Sequence, residues 1–373
     1  MPTPRLTIPI ALCALIALGF GCIGADESGR QTPDFTGRPA PTRPTMTPPG
    51  QPDRPTAADS RTGAPFFMTT MTHMEGPWKD DVDQALFLRH VEQLRFGIGV
   101  ADSYGAKLTI ESEKPFARGC DRWDVNMMKE VLDSGHGVGT HCDFGARDAA
   151  VPPLRYSEFF KENKDLVDAL VGAENNRGCS GGGGASDWAI GATLAGFKYL
   201  DGIVGLHYLS MPLSARPDSD WTDENIRDHY YHDNAPVDLV DRLHPFMVKD
   251  AQDFVADPDG TILVSSGEFG RVDTYAEGGD LKACAYGGHT CPITEEDVDA
   301  IEAAIREAIA QHDDSRVGKL TVYLPVSLFA EEYESGLELF FGRMQEMSQE
   351  GLFTWATQGE VYDAYISWGA GND

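Results

Sequence analysis

Short apolar runs of strand length alternate with segments of helical periodicity from Pro65 to the end of the chain. The run PFFMTTMT at Pro65 predicts a buried strand, and the runs KLTIES and GVGTH predict two more. The clearest helix is TEEDVDAIEAAIREAIAQH, in which Thr294 can cap the first turn and Val298, Ile301 and Ile305 fall on one face. Strands and helices alternate roughly eight times, which predicts parallel strands with helices outside them.

This alternation favours an α/β sheet or barrel, and in both architectures functional groups collect at the carboxyl ends of the strands. Residues 65–373 form the predicted domain, which a polar and aromatic insertion interrupts at about 210–258. The aromatic side chains of the insertion suit either a glycan groove or a lid that packs on the sheet. We therefore look for chemistry just after each predicted strand, where Glu111 is among the polar residues.

The N-terminal segment has the pattern of a secretory signal, with Arg5 ahead of the apolar run LTIPIALCALIALGFG in residues 1–22. The run ends in Gly21 and Cys22, which resembles a bacterial lipoprotein signal and predicts lipidation at Cys22. A plain cleaved signal and an uncleaved anchor are the alternatives. We expect an exported protein of the bacterial cell envelope, either membrane-anchored or periplasmic. Residues 23–64 are rich in Pro and Thr and poor in large apolar residues, which predicts a disordered tether.

The charge of the chain narrows the class of partner. Asp and Glu number 59 against 30 Lys and Arg, so the formal net charge is −29. An acidic surface repels phosphate backbones and anionic lipid headgroups. We therefore expect no nucleic-acid partner, and contact with a membrane only through the lipid anchor.

Five cysteines follow the predicted lipidation site. In an exported protein such cysteines are expected to pair as disulfides. Cys284 and Cys291 flank the Gly-rich segment AYGGHT and predict one disulfide. Cys120, Cys142 and Cys179 allow at most one more, which leaves one thiol free without indicating which.

Two predicted strand ends carry similar pairs of polar residues. His73 and Glu75 follow the first strand, and His141 and Asp143 follow the strand GVGTH. Residues two apart on a strand point to the same face, so each pair offers an imidazole and a carboxylate to one side. If the two ends meet, the four donors suit a divalent metal, zinc first and manganese or magnesium as alternatives. The competing hypothesis is a pocket without metal, in which the histidines bond to the carboxylates.

Four other residues are candidates for binding substrate. Arg177 can contact a carboxylate, Asp187 can bond to a sugar hydroxyl, Trp188 can stack on a sugar ring, and His207 can reach the pocket. Their structural alternatives are a surface ion pair, a helix cap, core packing and a satisfied core histidine. The chain contains no GxSxG elbow and no GxxxxGK[ST] loop, so neither a serine hydrolase nor a phosphate loop is expected.

The order of these motifs resembles that of the polysaccharide deacetylase family, in particular its chitooligosaccharide-deacetylase-like domains. YGAKLTI, a helix and SGHGVGTH follow one another as in the family run "YGvkaTfF … GHeiGnH". THMEGP aligns with the family's TFDDGP, NRGCSGG with its RPPYG segment, and LFTWAT with its last strand. The resemblance extends from Pro65 to Trp368, and GHGVGTH is its most specific part.

The resemblance implies a distorted (β/α) barrel of seven or eight mostly parallel strands, and a divalent metal held by one aspartate and two histidines. Glu75 takes the place of the metal aspartate, and His141 that of the first histidine. The family's general base falls at Met74 and its second histidine at Gly145, so the standard site is not intact. His73 and Asp143 are our candidates to complete the metal shell or to act as the base.

The resemblance further implies hydrolysis of acetyl groups on a cell-envelope or extracellular polysaccharide. Two alternatives remain open. One is a catalytically inactive domain of this fold that binds glycan, because the family's base is missing. The other is a metal-dependent hydrolase of the same fold that acts on another C–N bond. His136 lies in the turn before GVGTH, where the resemblance implies a structural role.

Overall fold

The computed structural model describes residues 63–75, 79–142, 150–181, 186–203, 208–209, 213, 216, 220–229, 242–252, 255–265, 267–276 and 290–372. All of them belong to one compact unit, Asp59–Asp373. The predicted signal, Cys22 and nearly all of the predicted tether lie outside the described residues. Within the described part, none of the helices combines the length and the apolar character needed to cross a membrane.

Strands and helices alternate along most of the domain, as the hydrophobic pattern predicts. The strands are β1 (Phe66–Met74), β2 (Thr109–Ser112), β3 (Gly137–His141), β4 (Gly178–Ser180), β5 (Tyr199–Asp201), β6 (Phe246–Val248), β7 (Ile262–Val264), β8 (Glu268–Arg271), β9 (Gly318–Tyr323) and β10 (Thr354–Trp355). The helices are α1 (Gln84–Ser103), α2 (Lys114–Arg122), α3 (Met127–Asp133), α4 (Pro153–Val171), α5 (Trp188–Ala195), α6 (Asp223–His229), α7 (Glu295–Gln311), α8 (Glu334–Gln349) and α9 (Gln358–Asn372).

The strands form one curled sheet in the order β6-β7-β5-β4-β3-β2-β1-β9-β8, and β10 pairs with the start of β1. Every pair is parallel except β6 with β7. The predicted α/β barrel architecture is therefore confirmed, although the described residues form ten strands instead of seven or eight. The extra strands are short and include β6, which lies in the predicted insertion and was too brief to show a periodic pattern.

Hydrogen bonds between non-adjacent strands curl the sheet into a half-barrel. The amide of Gly202, just after β5, donates to Oε1 of Glu268 in β8 at 2.6 Å. The amide of Lys319 in β9 donates to the carbonyl oxygen of Leu243, just before β6, at 2.9 Å. The inner face of the sheet consequently surrounds a narrow interior, and the carboxyl ends of β1 to β5 point to one rim.

Helix α7 forms for the reasons that the sequence indicates. Thr294 and Asp297 make a reciprocal capping box at its first turn. Val298, Ile301 and Ile305 are fully buried along the predicted face. Burial of such aliphatic side chains contributes about 1.5–3 kcal/mol each, so packing outweighs intrinsic helix propensity here.

The disulfide between Cys142 and Cys179 joins the end of β3 to β4. This pairing answers the question that the sequence left open, because Cys120 is the free and buried thiol. Burial raises the pKa of Cys120 to about 11, so this thiol is unreactive at neutral pH. Cys291 is also disulfide-bonded, as predicted, while its predicted partner Cys284 lies outside the described residues.

Two glycines of α1 differ sharply in their surroundings and allow a matched test of the packing. A Cβ atom at Gly97 would overlap the buried ring of Phe329, whereas one at Gly99 would meet no atom within 4 Å. We expect Gly97→Ala to lower the free energy of unfolding by about 1–3 kcal/mol through overpacking. Gly99→Ala should raise it by up to about 1 kcal/mol, because alanine is the better helix former.

Urea unfolding followed by circular dichroism measures both changes. Equal effects of the two substitutions would contradict the close packing of α1 against Phe329.

Candidate metal centre

Three of the predicted ligands converge where β1 and β3 end. His73 is the penultimate residue of β1, Glu75 follows that strand, and His141 is the last residue of β3. Strand β2 lies between them and pairs in parallel with both, in a register that sets His73 beside Glu111 and Ser112 beside Thr140. Because the three strand ends share one rim, the side chains of His73, Glu75 and His141 meet.

The Glu75 carboxylate contacts both imidazoles. Its Oε2 lies 2.7 Å from Nε2 of His141, and its Oε1 lies 3.6 Å from Nδ1 of His73. The two imidazole rings are 4.1 Å apart between centroids. One potential ligand atom from each residue lies within 4.8 Å of the others, and no other such group of three occurs among the described residues.

The charge at this cluster is set by its burial and its partners. His73 and His141 are buried, whereas Glu75 is partly exposed. Burial raises the pKa of Glu75, but the charge and hydrogen bonding of His141, and then of His73, outweigh it and hold the pKa well below its usual range. Glu75 is therefore an anionic oxygen donor at neutral pH.

The donor set suits a divalent metal. Two imidazoles and one carboxylate are the protein ligands of many catalytic zinc sites, which keep a further position for water or substrate. Both ring nitrogens of His141 are buried without a hydrogen bond of good geometry to the described residues, although Nε2 lies 2.7 Å from Oε2 of Glu75. The main chain of His141 is firmly held, since its carbonyl oxygen accepts a bond of 2.5 Å from the buried Asn163 side chain.

Polar side chains also fill the interior below the cluster. Glu111, Asp201, Glu268 and Lys319 are all buried there, in β2, β5, β8 and β9. Burial raises the pKa of Glu111 to about 7, and burial together with Glu111 raises that of Asp201. Burial lowers the pKa of Lys319, whose Nζ donates to the carbonyl oxygen of Ser265 at 2.9 Å.

Sequence reasoning noted Glu111 as a strand end but missed the other members of this interior. The segment around Asp201 was predicted as a strand, but β5 has only three residues and its one acid belongs to no motif. A chemical signal was available for Glu111 alone, because KLTIES places this acid where the resembled family run has an aromatic residue.

The rim beside the cluster is formed by the ends of β8 and β9. The ring of Tyr323 lies 5.1 Å from that of His73 between centroids. Burial raises the pKa of Tyr323, so its hydroxyl stays protonated. Arg271 lies near the same ring, 6.0 Å from its centroid, and donates two bonds of 2.9 and 2.7 Å to Asp273.

The other predicted site residues either lie outside the described residues or are placed away from the cluster. Asp143 and His207 lie outside the described residues. Arg177 precedes β4, at the opposite end of the strand from the rim, and its guanidinium pairs with Asp363 at 2.6 and 2.9 Å. The predicted contact of Arg177 with substrate is thus not supported by its position. His136 has the structural role that was expected, since its Nδ1 accepts from the Leu108 amide at 3.0 Å.

Asp187 and Trp188 act at the start of α5. Asp187 caps the helix by accepting from the Ile190 amide at 3.0 Å, and it also accepts from the Ala251 amide at 3.1 Å. It lines a cavity of about 420 Å³ with Asp250, among other residues. Trp188 is only 1 % exposed. Its ring packs in the core and cannot also stack on a sugar, which corrects the prediction for this residue.

No protein-family model matches the chain, and no curated protein matches it. Among solved structures, the probable polysaccharide deacetylase of Pseudomonas aeruginosa PAO1 is similar at 10 % identity and a TM-score of 0.50, over 82 % of this chain and 92 % of that one. Puue allantoinase is similar at 10 % identity and a TM-score of 0.50, over 83 % and 93 %. At such identities the likeness concerns the fold. The chain therefore has the distorted (β/α) barrel fold that these two structures share.

Proposed function

We propose that this chain is an exported, metal-dependent hydrolase that removes acetyl groups from a cell-envelope or extracellular polysaccharide. The observation that carries the proposal is the convergence of His73, Glu75 and His141 at the carboxyl rim of a deacetylase-like barrel. Zinc is the metal that this donor set favours, with manganese or magnesium as alternatives. No other group in the described residues offers three such ligands.

Each residue has a definite task in this proposal. His73, Glu75 and His141 would hold a divalent cation, which would supply Lewis-acid activation of the acetyl carbonyl and of the attacking water. Asp143 is the proposed base that takes a proton from the water and returns it to the leaving sugar nitrogen or oxygen. It follows His141 by two positions, and Met74 in the family's usual position of the base cannot accept a proton.

The exported location has support of its own in the disulfides. Cys142–Cys179 and the bonded state of Cys291 suit an oxidising compartment outside the cytoplasm. Together with the signal pattern in residues 1–22, they favour a protein anchored to the membrane through a lipid on Cys22. We propose glycan as the substrate and no nucleic-acid partner, in keeping with the net charge of −29.

Two further functions have particular observations in their favour. A catalytically inactive glycan-binding domain is favoured by the close approach of Oε2 of Glu75 to Nε2 of His141, 2.7 Å, because an ion pair between these groups needs no cation. A hydrolase of another C–N bond is favoured by the likeness to an allantoinase, whose TM-score equals that of the deacetylase.

The metal proposal predicts that purified protein dialysed against zinc retains about one equivalent, and that His141→Gln loses it because a ligand is removed. Elemental analysis after gel filtration measures both. His90→Gln is the matched control, since His90 is equally buried but pairs with Asp80 at 2.6 Å, away from the cluster. A parent protein that retains no metal after dialysis against zinc or manganese would refute the metal site.

The catalytic proposal predicts acetate release from acetylated chitooligosaccharides or peptidoglycan fragments. Asp143→Asn should lower kcat by about 10²–10⁴-fold, the usual contribution of general-base catalysis. Asp133→Asn, which removes an exposed carboxylate that pairs with Lys129, should leave kcat unchanged. Binding of these glycans without acetate release would favour the inactive domain, and turnover of simple amides alone would favour the third function.

The anchor proposal predicts that a cell expressing the chain incorporates labelled fatty acid into it, and that Cys22→Ser abolishes this incorporation. The physical reason is that the acyl chains attach through this residue. Each of their methylene groups contributes about 0.8 kcal/mol of membrane-binding free energy when it is buried in the bilayer. Cys13→Ser, in the same apolar run, should keep both the label and membrane association. Retention of the label by Cys22→Ser would argue for a different anchor.

A further inference from the structure

Two buried side chains surround the nitrogen of His73 that faces away from Glu75. Oγ of Ser180, in β4, lies 2.8 Å from Nε2 of His73 in hydrogen-bonding geometry. Oε2 of Glu111, in β2, lies 3.2 Å from the same nitrogen. Glu111 is 1 % exposed, and neither of its carboxyl oxygens has a hydrogen-bond partner among the described residues. A buried acid without a bonded partner is costly, so its position next to an imidazole calls for an explanation.

We propose that Ser180 and Glu111 hold the proton of His73 on Nε2, so that Nδ1 is the nitrogen that faces the metal. Glu111 is thus a positioning residue, which acts on the metal through His73 and does not touch it. The arrangement is that of a carboxylate–histidine–metal relay, in which the outer acid fixes the ring and makes the inner nitrogen more basic. The part of this inference that concerns metal rests on the proposed function, whereas the part that concerns the tautomer does not.

The distances favour Nε2 as the nitrogen that carries the proton. Oγ of Ser180 lies 2.8 Å from Nε2 in hydrogen-bonding geometry and the Glu111 carboxylate lies 3.2 Å from it, whereas Oε1 of Glu75 lies 3.6 Å from Nδ1. Glu75 is moreover engaged with His141 at 2.7 Å through its other oxygen. Ser180 can accept a hydrogen bond from His73 because its own hydroxyl donates to Sδ of Met71, 3.4 Å away. The lone pair of Nδ1 and the anionic Glu75 then face each other, which is the arrangement that a cation between them stabilises.

The backbone of β3 leaves room for Glu111. Gly139 pairs with Glu111 across β2 and β3, and a Cβ atom there would lie 3.1 Å from Cγ of Glu111. Because Gly139 has no side chain, the Glu111 side chain can lie toward His73 without a clash with β3. The resembled family run has an aromatic residue at the position of Glu111, so this acid accompanies the loss of the family's usual second histidine at Gly145.

The tautomer can be measured in metal-free protein. Histidine labelled with ¹⁵N, observed through long-range ¹H–¹⁵N correlations at alkaline pH, distinguishes a protonated Nε2 from a protonated Nδ1. We expect the Nε2–H form for His73, assigned from its loss in His73→Gln. In Ser180→Ala combined with Glu111→Met the proton should redistribute to Nδ1, because both acceptors at Nε2 are gone. An Nδ1–H form in the parent protein would overturn the proposal.

Zinc affinity, measured by competition with a chelator, tests the consequence for the metal. Glu111→Met, which keeps the volume but removes the acceptor, should weaken zinc binding about 10–100-fold. Glu111→Gln retains an acceptor and should lose less zinc affinity. It also keeps the test informative if Glu111→Met fails to fold. The matched control is Glu268→Gln, a second buried acid of the interior that bonds to the Gly202 amide at 2.6 Å. The zinc affinity of Glu268→Gln should stay within about twofold of that of the parent protein.

The outcomes separate the two proposals. Folded Glu111 variants that bind zinc as tightly as the parent, or as tightly as Glu268→Gln does, would overturn the positioning role of Glu111. A parent protein that binds no zinc would instead refute the proposed metal-dependent function. The Nε2–H form of His73 would even then stand, because it is read without metal.

Discussion

Parallel pairing on both sides of β1 is the constraint on which the rest of the structure depends. This strand pairs with β2 along its last three residues and with β9 along its first six. All but one of its nine residues are buried. A strand in that position has a fixed register with both neighbours, because a slip by one residue would exchange the side chains of its two buried faces. The end of β1, with His73, is therefore fixed relative to the ends of β2 and β3.

Much of the fold and part of the site follow from this kind of local regularity. Alternation of strands and helices predicts parallel neighbours, and parallel neighbours end at one rim. His73, Glu75 and His141 could be expected to meet because each lies at the end of a predicted strand. Arg177 was misplaced because β4 has only three residues and begins after it. The choice of Cys179 over Cys120 as the disulfide partner depends on the pairing of β3 with β4, which no sequence pattern reports.

The interior of the half-barrel could not be foreseen for a physical reason. Asp201, Glu268 and Lys319 are far apart in sequence and lie in three different strands. Only the curl of the sheet brings their charges together, where Glu268 and Asp201 counter the loss of charge that burial imposes on Lys319. Sequence patterns describe what one strand buries, whereas the partner of a buried charge belongs to another strand.

The disulfide of β3 and β4 has a consequence for when the cluster takes shape. Cys142 directly follows His141, and Cys179 directly precedes Ser180, so one covalent link ties together the two strands that present a proposed ligand and its outer support. In a reducing compartment, the residues flanking these thiols would be held together at this rim by hydrogen bonds such as that from the Cys142 amide to the Ser180 carbonyl oxygen, at 2.6 Å. Oxidation of the two thiols would thus add a covalent link to a rim that backbone hydrogen bonds already define.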